Sequence, residues 1–440
     1  MFRAGIVLRS CLVSAVFAAA VRADDGLLAP VRLEHTRGVI DCGEAWGHAS
    51  PAVHDVDGDG LEDLIVGDFS GTFSVYRNVG STGTPAYELD GKLKAGGEEA
   101  KVWIYCCIGS QSRFGDLDGD GLVDMISNSY DPGHCYLFRG VEGNGFAARE
   151  ELLDKSGTPV RSAPTQQQDY QSFGSFFELV DWDADGDLDV LIGCFDGKMM
   201  LRMNEGTPEA YAFAAENVPV EAAGEPMEVA KHLCPVVADW DGNGLWDIIA
   251  GAEDGSVTWF RNVGAAGDPE FAAGETLVET SVDYTSYRVR WADEDPKPGV
   301  RTQVEVTDYN GDGKSDLLVG DFYTAYDFKK GLTDEQRQTI LELIAEHENA
   351  KQAFSDKFLA MREEFTGRYP GEEAFSGEAE KAWSDMYQEL RESPEAKEKE
   401  IAGEVFAEAL LPYLASTRNE STDVYNLAKS HGHVWLYLRK

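Results

Sequence analysis

Short apolar runs, broken by glycine-rich polar turns, recur along most of this chain. Leu64-Ile65-Val66-Gly67, Val190-Leu191-Ile192-Gly193 and Leu317-Leu318-Val319-Gly320 are too short for buried helices and read as strands. Each follows an acidic loop, and other apolar runs, such as Pro51-Ala52-Val53 and Pro235-Val236-Val237, precede those loops. A turn such as Ser70-Gly71, Asp196-Gly197 or Asp254-Gly255 then leads to a third strand, as in Thr72 to Asn78 and Val257 to Asn262. A weaker fourth strand follows, as in Ala86 to Leu89 and Glu270 to Ala272. After Gly320-Asp321-Phe322 the strand pattern stops and helical spacing takes over.

Thr333 and Gln336 form a capping box ahead of a stripe through Ile340, Ile344, His347, Lys351, Phe354, Phe358, Met361 and Phe365. Ser376 is a second cap, ahead of Trp383, Tyr387 and Leu390. Ser393-Pro394 opens a third helix whose apolar face includes Ile401, Val405, Leu410 and Leu414. These stripes predict a helical hairpin or three-helix core, with a dimerisation or lid element as the alternative. Gly432 to Arg439 then returns to the third-strand pattern. Residues 327–426 therefore read as an insertion between the second and third strands of the last unit.

The acidic loops carry the chemistry. D-x-[DN]-x-[DN]-G-x-x-D starts at Asp55, Asp116, Asp181, Asp239 and Asp308, at intervals of 61, 65, 58 and 69 residues. Side-chain oxygens at positions 1, 3, 5 and 9 converge on one point, and the position-7 carbonyl adds another. The predicted ligands are Asp55, Asp57, Asp59 and Asp63; Asp116, Asp118, Asp120 and Asp124; Asp181, Asp183, Asp185 and Asp189; Asp239, Asp241, Asn243 and Asp247; and Asp308, Asn310, Asp312 and Asp316. The carbonyls are those of Leu61, Leu122, Asp187, Leu245 and Lys314. Hard oxygens in that number suit Ca2+, about five ions in structural roles, better than zinc or copper. Without a cation, three or four carboxylates a few ångströms apart repel one another. Position 12 is Val66, Ser127, Ile192, Ala250 or Val319, so the bidentate Glu of an EF-hand is missing.

These loops, each between two strands, resemble the FG-GAP/VCBS repeat family, also seen in integrin α-chain heads. The likeness covers roughly residues 45–325 and the C-terminal strand; Phe173-Gly174 and Gly251-Ala252 are the nearest to the eponymous pieces. Copy two has Asn128 where other copies end the second strand in Gly, and copy three has Ala184 at position 4. The resemblance implies an all-β propeller. Four strands per unit of about 60 residues predicts five blades, with Pro30 to Ile40 supplying the strand that closes the fifth. The expected division is a leader over 1–23, propeller over 24–326, helical insertion over 327–426 and a final strand over 427–440.

The leader is a secretory signal: Arg3 and Arg9, an apolar run from Ser10 to Val21, and Val21-Arg22-Ala23 as the cleavage site. Export, to the outside or to a periplasm, permits disulfides. Of Cys42, Cys106, Cys107, Cys135, Cys194 and Cys234, the expected pair is Cys194–Cys234, bridging neighbouring blades. The 79 acidic and 38 basic residues give a net charge of −41, or −44 without the leader. That excess excludes nucleic acid as a partner, and no mature segment is apolar for long enough to span a membrane.

The face opposite the calcium loops should hold the insertion and the long connections, with Trp46, His48, Tyr105, Arg113, Arg161, Gln166 to Gln168, Asp169, Tyr170, His232, Tyr287, Arg288, Arg290, Trp291, Asp293 and Glu294. The resemblance implies a binding or adhesion module for a glycan or protein ligand. The alternative is a polysaccharide-active hydrolase or lyase using Asp169, Glu228, Asp293 or Glu294 at the channel mouth.

Overall fold

The computed structural model describes residues 26–102, 109–162, 174–280, 288–294, 297–369, 377–415 and 427–440. The leader, Tyr105, Cys106, Cys107, Gln166 to Gln168, Asp169, Tyr170, Tyr287 and the Ser376 cap lie outside them. The architecture is mostly β, with three α-helices among the described residues. None of these is long and apolar enough to cross a membrane.

After β1 (Val31–Arg32) come four antiparallel sheets, each joined in chain order. The first contains β2 (Ser50–His54), β3 (Asp63–Gly67), β4 (Phe73–Asn78) and β5 (Tyr87–Lys92); the second contains β6 (Ser112–Gly115), β7 (Asp124–Asn128), β8 (Cys135–Phe138) and β9 (Glu150–Glu151). The third holds β10 (Phe176–Val180), β11 (Asp189–Gly193), β12 (Met199–Arg202) and β13 (Val218–Pro219), and the fourth β14 (Cys234–Ala238), β15 (Asp247–Gly251), β16 (Val257–Phe260) and β17 (Glu275–Val278). After β18 (Arg288–Trp291), the fifth sheet comprises β19 (Val300–Thr307), β20 (Asp316–Phe328) and, beyond the helices and β21 (Lys429–His431), β22 (Val434–Tyr437). Its outer position is filled by β1, paired through Val31–Leu436 and Arg32–Trp435.

Strands β3, β7, β11 and β15 are buried along their whole length, and β3, β11 and β15 accordingly read as continuous apolar runs rather than alternating ones. Alternate side chains still face different neighbours. Ile65 packs with Met125 and Phe138 of the second sheet, while Leu64 and Val66 pack with Leu318 and Val434 of the fifth. Ile126 likewise meets Phe177 and Val190, Leu191 meets Ile248, and Ile249 meets Leu317 and Trp435. Each such buried aliphatic side chain contributes about 1.5–3 kcal/mol. The first strands of successive sheets also pack side by side, β2 on β6, β6 on β10, β10 on β14, β14 on β19 and β19 on β2.

Glycine at the end of the second strand allows this approach. A Cβ on Gly67, Gly193, Gly251 or Gly320 would run into the carbonyl of Ser110, Leu233, Thr302 or Ala49, each just before or within the next sheet's first strand. In the second sheet Asn128 takes the place, accepting the Gln111 N–H at 2.5 Å and donating to Gly109 O at 3.3 Å.

Several expectations need correction. The fourth strand of the fourth sheet is β17, not Glu270 to Ala272; Phe271 instead makes isolated bridges to Asn262 and Ala222. Strand β20 does not stop at Phe322 but runs to Phe328, pairing with β21 and, in parallel, with β18. From Pro30 to Ile40, only Val31 and Arg32 join the fifth sheet as a strand; residues 34–39 form a hairpin beside Tyr87 of the first.

The helices are α1 (Asp334–Arg368), α2 (Gly377–Arg391) and α3 (Pro394–Leu410). The Thr333/Gln336 capping box is formed, and Ser393 caps α3 with Pro394 in its first turn. Their base rests on the outer half of β20, where Tyr326 and Phe328 pack with Trp291, Ile340, Phe406 and Leu410. Further out, Trp383 meets Phe358 and Phe365 edge-on. Contrary to expectation, Ile401 and Val405 are 62% and 57% exposed, because α3 buries the face carrying Gly403, Phe406, Ala407 and Leu410.

The expected disulfide does not form: among the described residues, Cys42, Cys135, Cys194 and Cys234 are buried free thiols. Cys194 and Cys234 do not bond, although Leu233 N–H reaches Cys194 O at 3.2 Å. The Cys234 side chain instead lies by Phe176 and Gln111 Nε2, the latter at 3.6 Å.

Candidate functional site

The five acidic loops each connect the first two strands of one sheet. Position 6 is glycine with φ between 84° and 96° in all five (Gly60, Gly121, Gly186, Gly244 and Gly313), the left-handed region that a side chain would strain. Position 1 gathers the turn: Asp55 Oδ1 accepts Gly58 N–H at 2.7 Å and Asp59 N–H at 3.2 Å, and its Oδ2 accepts Gly60 N–H at 2.9 Å. Asp116, Asp239 and Asp308 do the same for Gly121, Gly244 and Gly313. Position 5 accepts the position-7 N–H in every copy: Leu61 on Asp59, Leu122 on Asp120, Asp187 on Asp185, Leu245 on Asn243 and Lys314 on Asp312.

Position 9 has a second task. Asp63 accepts Val56 N–H at 3.1 Å on one oxygen and Asn78 N–H at 2.8 Å on the other, bracing the loop against the third strand. Asp124, Asp189 and Asp247 repeat both bonds, and Asp316 repeats the second with Arg439 N–H. Burial pushes all five carboxyls up, Asp189 to about 7, against the pull of those N–H groups.

Position 3 meets an arginine from the end of the third strand. Arg77 holds Asp57 at 3.0 Å, Arg261 holds Asp241 at 2.5 Å, and Arg139 holds Asp118. The Arg-Asn ends of these strands, at 77–78 and 261–262, are the signal that sequence reasoning left unused.

One oxygen each from Asp55, Asp57 and Asp63 lies within 4.8 Å of the others; so do those from Asp116, Asp118 and Asp124, and from Asp181, Asp183 and Asp185. In copies four and five, where Asn243 and Asn310 replace acids, Asp239, Asp241 and Asp247, and Asp308, Asp312 and Asp316, do not form such a trio. Asp116 Oδ1, Asp118 Oδ1 and Asp181 Oδ1 are buried without a hydrogen-bond partner. Oxygen-only donors with orphaned lone pairs fit a hard divalent cation. Asp187, at position 7 of the third loop, is pushed up to about 6 by burial and by Asp185, Asp183 and Asp181.

The residues predicted for the opposite face are dispersed. Arg113 lies among the first strands, its Nε 2.6 Å from Glu178 and its Nη1 3.2 Å from Glu305; Nη2 donates to Pro235 O at 3.2 Å and Val304 O at 2.6 Å. One side chain thus ties β6 to β10, β14 and β19. His48 and His232 are buried equivalents with φ of 62° and 59°: His48 stacks on Phe322 at 3.9 Å, and His232 lies tilted against Phe195 at 4.2 Å. Burial lowers His232 to about 3, so it stays neutral. Asp293 and Glu294 are both held by Arg337 of α1, at 2.6 and 2.9 Å. Glu228 bridges to Lys198 through the backbone.

Sequence reasoning missed a cavity of about 720 Å³ at the root of the helices. Arg32, Asp41, Arg290, Lys429, His431 and His433 are among the residues around it. The His431-Gly432-His433 spacing was its available signal.

No family model and no curated protein matches the chain. Two solved structures are similar at 13% identity: BBS1N in complex with ARL6DN soaked with lead (64% of this chain, 80% of that chain, TM-score 0.29), and the same complex soaked with mercury (65%, 69%, 0.26).

Proposed function

We propose that this chain is an exported five-bladed calcium-loop propeller of the FG-GAP/VCBS kind, acting as a binding module for a protein or glycan ligand. The five oxygen-only loops, one at the same joint of each of the five main sheets, carry the reading. The cyclic packing of first strands and the β1–β22 pairing support a closed ring. Asp55, Asp57, Asp59 and Asp63, with their counterparts, would hold calcium, and the position-9 brace would carry its effect into the third strand. Each loop filled at a hundredfold its Kd would add about 2.7 kcal/mol. The ligand would engage the side bearing the helices, where Arg290 and Trp291 border the cavity.

Differential scanning calorimetry of the mature chain with excess calcium and then EGTA tests the metal. A large fall in melting temperature is expected, and an unchanged one refutes calcium. A glycan array, run beside affinity capture with crosslinking, tests the binding role. Specific retention that an α1–α3 deletion weakens is expected; no retention in either format overturns it.

A further inference from the structure

His431-Gly432-His433 places two imidazoles on one face of an extended segment, since side chains two residues apart point the same way. Their rings lie parallel, 5.7 Å apart at 7°, and Tyr323 stacks on both, at 5.1 and 5.5 Å. Asp41 faces them across a backbone bridge to His433. Its Oδ1 is fixed by the N–H groups of Gly43 at 2.9 Å and Gly432 at 3.2 Å. That leaves Oδ2 toward the imidazoles, 2.7 Å from His431 Nδ1 and 3.6 Å from His433 Nε2. All three ligand atoms lie within 4.8 Å of one another.

We infer that Asp41, His431 and His433 form a site for one divalent transition-metal ion of the zinc class, with an open coordination position toward the cavity. Two imidazoles and one carboxylate are a recurrent three-ligand set for such ions. Ligand atoms at about 2.0–2.1 Å from zinc in a tetrahedron stand about 3.3–3.5 Å apart, so the two Asp41 contacts each need to change by well under 1 Å. The outer groups are also present. His431 Nε2 lies 3.1 Å from Asp327 Oδ2, and Arg290 holds Asp327 at 2.6 Å; a carboxylate behind a histidine fixes its tautomer and raises its basicity. His433 is 1% exposed, its Nδ1 has no hydrogen-bond partner, and Asp321 Oδ1 stands 3.9 Å from that atom.

Two features compete with the ion. Arg32 Nη1 approaches His433 Nε2 at 3.4 Å, and Asp41 Oδ2 lies 2.7 Å from His431 Nδ1, the nitrogen the ion would need. Binding displaces the arginine and takes His431 through its Nδ1 lone pair, with any proton there released. The acidic loops cannot substitute, because they offer oxygen only. The site does not depend on whether those loops take calcium.

The test uses the mature full chain, stripped of metal and then held in excess calcium. Titration with Co2+ should give one equivalent with visible d–d bands, displaced by one equivalent of Zn2+. Proton NMR of the cobalt form should show two exchangeable, hyperfine-shifted imidazole N–H signals. His433→Gln and Asp41→Asn should abolish tight binding, and Asp327→Asn should weaken it 10–100-fold, as positioning residues do. His35→Ala should bind as the wild type does. If the wild type takes up no cobalt beyond its calcium loops, or its spectrum lacks imidazole signals, the site does not exist. Unchanged affinity in folded His433→Gln overturns the assignment equally.

Discussion

Replacing Arg113 with Met removes a side chain that reaches four first strands while roughly preserving its bulk. Glu178 and Glu305 are then left 8% and 12% exposed at their side chains without the cation between them. Pro235 O and Val304 O also lose their donor. Breaking a buried pair by removing one partner costs about 3–5 kcal/mol, and the carbonyls fall within that range because the losses are not independent. The deficit should appear in full near pH 8 and shrink on acidification, as the stranded carboxyls take up protons. Urea unfolding of wild type and variant at two pH values measures it, provided the slope is unchanged. Adding Glu178→Gln and Glu305→Gln to Arg113→Met should restore most of the loss, since an uncharged trio leaves no buried charge uncompensated. A single variant within 1 kcal/mol of wild type near pH 8 would refute the idea that this trio holds the inner strands together.

Further outcomes follow from the same geometry. Burial, offset by Arg113, pushes Glu178 up to about 7 from an ordinary 4.5. A raised folded-state value gives stability that is complete below about 4.5 and is lost as pH rises through about 7. Glu178→Gln should therefore flatten the pH dependence in that window, and an identical profile would count against the shift. Asp247→Ala strands the Trp240 and Asn262 N–H groups and should cost about 2–4 kcal/mol without calcium, and more with calcium, where a ligand is lost as well. Asp57→Ala should cost stability only when calcium is present; chelator scans of both variants separate the brace from the ligand. Gly193→Ala drives a Cβ into Leu233 O and should destabilise by about 1–3 kcal/mol in urea melts.

The elements written in local pattern were legible. Strands β3, β11 and β20 begin where the apolar runs begin, and Thr333 and Ser393 cap the helices their neighbours announce. What was not legible depends on partners distant in sequence. The extension of β20 is stabilised by β18, some 35 residues earlier, and by β21, about 100 later. Arg113 reads as a polar residue on a connection until three other sheets surround it. Ile401 and Val405 satisfy helical spacing as well as Phe406 and Leu410 do, and only the position of α1 decides between the faces. Within the loops, the ligand positions could be named, but not that position 9 also braces the third strand. Cys194 and Cys234 were close in topology, and side-chain direction decided the outcome.

The fifth sheet has a consequence for how the molecule is made. Its strands come from positions 31–32, 300–328 and 434–437, so it cannot be completed until residues 434–437 have been made. The first four sheets draw on consecutive residues and can assemble as the chain emerges, leaving one side of the first sheet bare. That apolar side, with Leu64 and Val66, stays in need of cover until Val434 and Leu436 arrive. Joining strands about 400 residues apart adds little beyond shorter closures, since the entropy grows only logarithmically. The vulnerable period is therefore one of waiting, and a chaperone that shields the first sheet would act on nascent chains rather than on the finished protein.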